Sequence, residues 1–550
     1  MLSDELKSVV KGEVSAEEAD LQLFSRDASI FKVRPSVIVK PNDVDDLKNL
    51  VKFVSDNKNS NQKLSLTARS AGTDMTGGPL SDSIVLDFTT HFNNILEVGN
   101  GWARVEPGVY YRDFEKETLK KDLLLPSYPA SREICTVGGM VANNSGGEKS
   151  LRYGKTEDYV QELNVVLGDG NEYILKSLNE EELEQKKSQN DFEGNIYRQM
   201  HELINSNQEL IKNAKPNVSK NSAGYLLWNV CPPAGEAGKN NKFDLTQLFT
   251  GSQGTLGLIS KIKFRLIRPK KYSKLLIIFL NNLESLGELV NVLNKRKPES
   301  LESYDDHTFK LAFKILPDLV SKLGLGVIFR FIPEAWLVLT GVFPKMVMMV
   351  EFTGDDEKGL DDKIWQCQKE VSEKFKLKTR ITRDKADTEK YWTIRRESFN
   401  LLRKHVQGKK TAPFIDDIIV RPEHLPEFLP KLNKILDEYK NYMVYTIAGH
   451  PGDGNFHIIP LMNLADESSR RIIPELSEKV YNLVLEYHGS ITAEHNDGLI
   501  RTPYLEKMYG PEVCELFKKT KQIFDPQDIF NPHKKTGSDM NYALEHISHD

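Results

Sequence analysis

The stretch AGHPGDGNFH, residues 448–457, sets His450 and His457 seven positions apart around a loop of Pro, Gly, Asp, Gly and Asn. Two histidines in this setting can be a metal site, a catalytic pair or the polar ends of an ordinary hairpin. Taken alone, such histidines are more often surface or satisfied core groups, and a third donor would decide for metal. The segment SITAEHNDG, 490–498, supplies one in Glu494, with His495 beside it. Two neutral imidazoles and a carboxylate make a borderline-hard set with an open position, suited to Zn, Mn or Fe(II). A hydroxyl oxygen bound there has its pKa lowered, so that a neighbouring base can take its proton at neutral pH. His495, next to a ligand and by type suited to titration near neutrality, is the expected base.

These groups need elements to carry them. YMVYTIAG and FHIIPL are both strand-like, so HPGDGN is a strand–loop–strand turn, which removes the objection that an odd spacing sends the two side chains to opposite faces. Residues 467–488 form an amphipathic helix ending at Gly489, and a short strand then carries Glu494 and His495. Upstream, from about residue 34, short β-branched runs alternate with helices: SVIVKP, a helix DVDDLKNLVKFVSDN, KLSLTA, SIVLDF, WARVEPG, QELNVVLGDG and LGLISKIKFRLI. After Pro269, KLLIIFL, a helix around 281–295 and MVMMVEF look like a second α+β unit. The tail returns to helix at 511–523, and SLNEEELEQKKSQND is a surface excursion.

Three runs of small residues could approach a phosphorylated ligand. RSAGTDMTGG follows a strand and can turn several N–H groups inward as a nest for a diphosphate. It lacks GK[ST] and the GxGxxG order, so neither a P-loop nor a Rossmann turn is supported. TVGGMVANNSGG (136–147) and GSQGTLGLIS (251–260) follow. A glycine-rich turn without a ligand is the alternative for any one run, but three together suit a dinucleotide across one domain.

The succession FSRDAS (24–29), RSAGTDMTGG, TVGGMVANNSGG, GSQGTLGLIS, HPGDGNFH, AEHNDG and DPQDIFNP resembles FAD-linked flavoproteins of the vanillyl-alcohol-oxidase type, specifically the D-lactate, glycolate and D-2-hydroxyglutarate dehydrogenase group. The resemblance implies an α+β chain with a two-subdomain FAD-binding domain of the PCMH type, then an α+β substrate cap and a short helical tail. The implied boundaries are a helical lead at 1–33, the FAD domain at 34–269, the cap with its metal site at 270–500, and a tail at 501–550 that returns to the FAD domain. The implied FAD residues are Arg69, Ser70, Ala71, Gly72, Thr73, Asp74, Gly77 and Gly78, then Thr136, Gly138, Gly139, Ala142, Asn143, Asn144, Gly146 and Gly147, then Gly254, Gly257, Ile259 and Asn531. Asp74 beside a diphosphate is tolerable only if it points away, and no covalent flavin link is indicated. The family's divalent metal falls on His450, His457 and Glu494, with zinc favoured and manganese next. Arg395 matches the arginine of the family's W-x-x-R pattern, and its planar fork suits a substrate carboxylate, whereas Arg396 is expected to be a surface charge. Asn455 is expected to face the substrate, and Asn496 replaces the usual glycine after the base.

The implied reaction is oxidation of a D-2-hydroxy acid, with hydride passing to flavin. Ile415 and Asp416 stand where the 2-hydroxyglutarate enzymes use a lysine, and Ile459 is apolar, so a lactate-like acid is favoured over D-2-hydroxyglutarate or glycolate, although Lys409 or Lys410 could supply a cation. A non-redox FAD transferase resembling alkyl-glycerone-phosphate synthase is the alternative from another class. The net charge of -5, with interspersed signs, gives no reason to expect nucleic acid. Cys135, Cys231, Cys367 and Cys514 lie far apart with no CxxC, which argues against an iron–sulfur relay. The electron acceptor is then a quinone, an electron-transfer protein or dioxygen. The charged N-terminus points to a cytoplasmic chain, and no segment reaches the about 18 apolar residues of a span. The apolar stretch 311–350 reads as a buried cap or a homodimer contact, with peripheral contact on the inner face of a membrane as the second reading.

Overall fold

The structure, a computed structural model, describes residues 2–232, 242–306, 344–405 and 408–549. The first sheet holds β1 (Glu13–Ser15), β2 (Val37–Lys40), β3 (Leu66–Arg69) and β4 (Ile84–Asp87) in the order β1-β2-β4-β3, with β2, β4 and β3 parallel. Parallel neighbours need a crossover, and α1 (Val44–Asn57) provides it between β2 and β3. Asp43 caps α1 by accepting from Asp45 N and Asp46 N, and Leu47, Leu50, Val51 and Val54 bury one face at helical spacing.

The second sheet holds β5 (Ile95–Val98), β6 (Trp102–Val105), β7 (Val160–Val166), β8 (Glu172–Leu178), β9 (Phe243–Asp244) and β10 (Leu258–Arg265) in the order β5-β6-β10-β7-β8-β9. Between β6 and β7 lies the short helix α2 (Val137–Asn143). The tail divides: Val513, Leu516, Phe517 and Phe524 of helix Leu505–Phe524 join this sheet's core, while Tyr504, Ala543 and Ile547 are buried in the core of the third sheet. Phe530 then bridges Leu66 at the edge of the first sheet.

The third sheet holds β11 (Tyr272–Leu280), β12 (Ser300–Asp305), β13 (Met346–Gly354), β14 (Lys378–Ile381), β15 (Lys410–Thr411), β16 (Ile418–Ile419), β17 (Met443–His450) and β18 (Asn455–Met462), ordered β14-β11-β13-β12-β17-β18-β15, with β16 also on β18. One face, with Leu276, Ile278, Leu301, Met348, Val350 and Ile458, packs on four helices: α3 (Leu286–Lys295), α4 (Glu357–Phe375), α6 (Leu425–Asp437) and α7 (Glu467–Glu486). Helix α5 (Lys385–His405) lies between α4 and α6 in the chain and carries Arg395. Strand periodicity sends the alternate residues to the other face. There the register sets His450 opposite Asn455, Ala448 opposite His457 and Thr446 opposite Ile459, with Tyr304 of β12 beside Ala448.

Of the apolar stretch expected at 311–350, residues 311–343 lie outside the described residues, while Met346–Val350 are buried in β13. Among the described residues no helix is long and apolar enough to cross a membrane.

Candidate active site and metal centre

The turn between β17 and β18 is shaped by Gly454, whose φ is +77° and whose added Cβ would lie 1.8 Å from the Val420 carbonyl oxygen. No other residue fits so close to the backbone just past β16. The turn brings the two rings edge to face, with their Nε2 atoms 3.2 Å apart. Their other nitrogens are already committed: His450 Nδ1 lies 2.5 Å from Glu302 Oε1, and His457 Nδ1 lies 3.2 Å from Asp416 Oδ1. Glu494 Oε2 lies 3.7 Å from His450 Nε2, while its Oε1 accepts from Lys220 Nζ at 2.6 Å. Each of the three residues thus turns one donor atom inward and ties the other to a charged partner, the pattern of metal ligands with an ordered second shell.

The segment carrying Glu494 and His495 is a bend, not the expected strand. It wraps a buried carboxylate: Asp417 Oδ2 accepts from Thr492 Oγ1 at 2.7 Å, Glu494 N at 2.8 Å and His495 N at 2.7 Å. Asp417 itself has φ +65°, and its Oδ1 accepts from Asn455 Nδ2 at 3.2 Å. Arg501, fully buried, closes the bend by donating to the carbonyls of Asn496 and Asp416. His495 stacks on His457 with centroids 5.0 Å apart, and its Nδ1 pairs with Asp416 Oδ2 at 2.9 Å. Donor atoms of Asp417, His457, Glu494 and His495 also lie within 4.8 Å of one another. Asp417 already accepts four hydrogen bonds, however, so His450 is the better third partner of His457 and Glu494.

The electrostatics fit a cation. Burial disfavours charge on His450, yet Glu302 overcomes it and pushes the ring up to about 9. Burial also opposes protonation of His495, and Asp417 and Asp416 together lift it to about 9, above the near-neutral range expected from residue type. Burial would raise Glu494, but Lys220 and His450 hold it well below the usual carboxylate range. The field that raises His450 and holds Glu494 ionised equally favours a cation between these two groups.

The other expected site residues divide. Arg395 Nη2 lies 3.2 Å from Glu302 Oε2, so the carboxylate that braces His450 also braces the arginine. Arg396 is not a surface charge: it pairs with Glu148, at 2.8 Å, just past the second glycine run, and covers the Trp392 ring. Asn455 is fully buried and spends its amide N–H groups on Asp417 and the Ile418 carbonyl. Ile415 is buried in the apolar core, whereas Ile459 lies two residues from His457 on the same face of β18.

The three glycine-rich segments meet. Asn143 Nδ2 donates to Asp74 Oδ1 at 3.2 Å and to the His495 carbonyl at 3.4 Å, and its Oδ1 accepts from Gln253 Nε2 at 3.3 Å. A Cβ on Gly139 would be 3.6 Å from Ser70 Cβ, and one on Gly146 would be 2.9 Å from Glu494 Oε1. Gln253 N donates to the Ala142 carbonyl. Asp74 folds back on its own loop, accepting from Thr76 N at 2.9 Å and Gly78 N at 2.8 Å, while Asp27 takes Gly77 N at 3.1 Å. Among the described residues the N–H groups of Ser70, Ala71, Gly72 and Thr73 donate to no protein acceptor, so they form the part of the nest open to a diphosphate.

The remaining expected cradle residues act at a remove from it. The Arg69 guanidinium donates to the Phe24 and Arg26 carbonyls beneath Gly72. Thr136 caps α2 by accepting from Gly139 N, and Gly138 packs on Pro107. Gly147 N donates to Ser150 Oγ, and Asn144 turns to Glu157. Gly254 abuts Ala68, Gly257 lies against the Val166 carbonyl, and Ile259 packs on the second core. Asn531 donates to the Gly78 and Gln253 carbonyls and accepts from Thr67, clamping two of the runs to β3.

Sequence reasoning missed Glu302, Lys220, Asp453 and Arg501, and took Asp416 only as a departure from pattern. Asp453 sits inside the quoted histidine turn and the IDD pair of 415–417 was in view; Glu302 and Lys220 carried no local signal.

Residues 35–175 match the FAD binding domain family, and residues 269–535 match the family of FAD linked oxidases, C-terminal domain. The chain is similar to a D-2-hydroxyglutarate dehydrogenase of Pseudomonas putida, 29% identical over 532 residues, covering 95% of this chain and 50% of that one. It is also similar to a D-lactate dehydrogenase of Anaerostipes hadrus, 27% identical over 509 residues, with 92% and 90% covered. The chain spans about half the length of the first D-2-hydroxyglutarate dehydrogenases it matches. Among solved structures, 4-ethylphenol oxidase from Gulosibacter chungangensis shares the fold, with a TM-score of 0.67 at 14% identity and 98% and 97% of the two chains covered.

Proposed function

The chain belongs to the FAD-linked oxidases that join an FAD binding domain to an FAD-linked oxidase C-terminal domain, and on that footing we propose an FAD- and divalent-metal-dependent dehydrogenase that oxidises a D-2-hydroxy acid of lactate size to the 2-oxo acid. In this reading residues 34–269 hold FAD and 270–500 cap the substrate, with a helical lead at 1–33 and a tail at 501–550 that returns to the FAD unit through the helix Leu505–Phe524. The observation that carries it is the facing pair of Nε2 atoms, 3.2 Å apart beside Glu494, set where the three glycine-rich segments converge on Asn143.

When bound, FAD supplies a two-electron acceptor, and the ion, zinc before manganese, supplies a Lewis acid that acidifies a hydroxyl. His450, His457 and Glu494 would hold the ion, and the N–H groups of Ser70 to Thr73 would hold the diphosphate. His495 takes the hydroxyl proton on the ring nitrogen turned from Asp416. Against burial, Asp417 and Asp416 push it up to about 9, and an ion held by the adjacent ligands would oppose that protonation. Arg395 fixes the substrate carboxylate. Ile459, on the face of His457, favours a small apolar substituent over a second carboxylate. The electrons leave to a quinone or an electron-transfer protein.

The test is anaerobic addition of D-lactate, glycolate and D-2-hydroxyglutarate to FAD- and metal-loaded protein, read by flavin absorbance. Bleaching is expected first with D-lactate. No bleaching by any hydroxy acid would sink the dehydrogenase reading, and bleaching by D-2-hydroxyglutarate alone would overturn the argument from Ile459.

A further inference from the structure

Lys220 is buried, 3% exposed, and belongs to no described strand or helix. Its Nζ lies 2.6 Å from Glu494 Oε1 and 2.9 Å from Asp453 Oδ2. We propose that Lys220 is a positioning residue that keeps Glu494 a one-oxygen metal ligand, leaving a coordination position open for the substrate hydroxyl. The inference rests on the metal reading above and adds what decides the number of donor atoms.

A carboxylate can hold a cation through one oxygen or two, and the second closes a position that substrate would otherwise take. Here Oε2 faces His450 Nε2 at 3.7 Å, while the ammonium occupies Oε1. The backbone is close on the Oε1 side, where a Cβ on Gly146 would meet that oxygen at 2.9 Å.

The lysine is itself held at both ends. Asp453, in the histidine turn, fixes the ammonium relative to the two imidazoles. A second buried lysine fixes the backbone: Lys155 Nζ donates to the Asn221 carbonyl at 2.7 Å, Ser222 Oγ at 2.8 Å and the Ala493 carbonyl at 2.9 Å, and Ser222 N donates to the Thr492 carbonyl at 3.1 Å. The residues following Lys220 and those preceding Glu494 are thus laced together, so Oε1 cannot exchange its partner without breaking several buried bonds.

The test uses full-length protein loaded with FAD and with cobalt(II), whose visible bands weaken as its coordination number rises. In the unaltered protein a hydroxy acid should shift those bands. Lys220→Met should keep one equivalent of cobalt by elemental analysis, show weaker bands, lose the response to D-lactate and raise KM by about 10–100-fold. Lys220→Arg, which keeps a cation on Oε1, should restore both spectrum and response. Should Met prevent folding, Lys220→Gln is read in the same way. Bands and ligand response unchanged in the neutral variant overturn the proposal alone, as does loss of cobalt from the neutral variant, which would assign Lys220 to holding the site together. No cobalt in the unaltered protein overturns the metal reading and this proposal with it.

Discussion

The histidine centre and the glycine-rich cradle, in contact through Asn143, solve opposite problems. The centre is built from side chains that each tie an outer atom to a charged partner: His450 to Glu302, His457 to Asp416, Glu494 to Lys220. The cradle is built from backbone, and its acidic side chains serve the loop itself, with Asp74 and Asp27 consuming the N–H groups of Thr76, Gly77 and Gly78. The first fixes the direction of lone pairs, the second the direction of N–H groups. A substitution in one should therefore leave the ligand of the other in place, which makes the two separable in measurement despite their contact through Asn143.

The strongest test of that separation is His450→Ala. It is expected to remove the metal and with it activity, a greater loss than the about 10–100-fold of a second-shell change, while flavin absorbance stays stoichiometric. Metal retained by elemental analysis would show that the triad is wrongly assigned. His495→Asn comes next: metal and flavin should both remain while anaerobic flavin reduction slows by about 10²–10⁴-fold, and equal rates would remove His495 as the base. From the other side, Asp74→Ala should leave metal content unchanged and cost about 1–3 kcal/mol of stability, because the buried N–H groups of Thr76 and Gly78 lose their acceptor; denaturant unfolding measures it. The smallest effect belongs to Arg396→Gln, which breaks the pair with Glu148 that links α5 to the second glycine run. The pair is partly exposed, so about 1 kcal/mol of stability is expected in thermal or denaturant unfolding, with metal and flavin content unaltered.

The legibility of the sequence followed the range of the interactions. Alternating strands, the parallel βαβ opening and the turn at 451–454 are local patterns, and the structure has them close to where they read. The closeness of His450 and His457 was legible because the two flank one tight turn, whereas Glu494 stands on a separate segment beyond α7 and was joined to them by its chemistry and by the family resemblance. The bend at 490–498 misread as a strand because Ile491 and Thr492 favour extended backbone, whereas the conformation is decided by Asp417, some 75 residues away. Glu302 and Lys220 are 148 and 274 residues from the groups they hold, and nothing around them marks them out. Arg396 misread because helical periodicity places it beside, not on, the face of Arg395; the neighbouring Glu148 that takes it comes from another part of the chain.

Asn531 has a consequence for the order of assembly. Its amide pins the Gly78 and Gln253 carbonyls, 453 and 278 residues away, and the adjacent Phe530 bridges Leu66, so two walls of the cradle are joined by residues made well after both. A nascent chain that has both walls but not yet residue 531 lacks the clamp between them. Ribosome-bound chains halted on either side of that residue should differ in their ability to take up the cofactor.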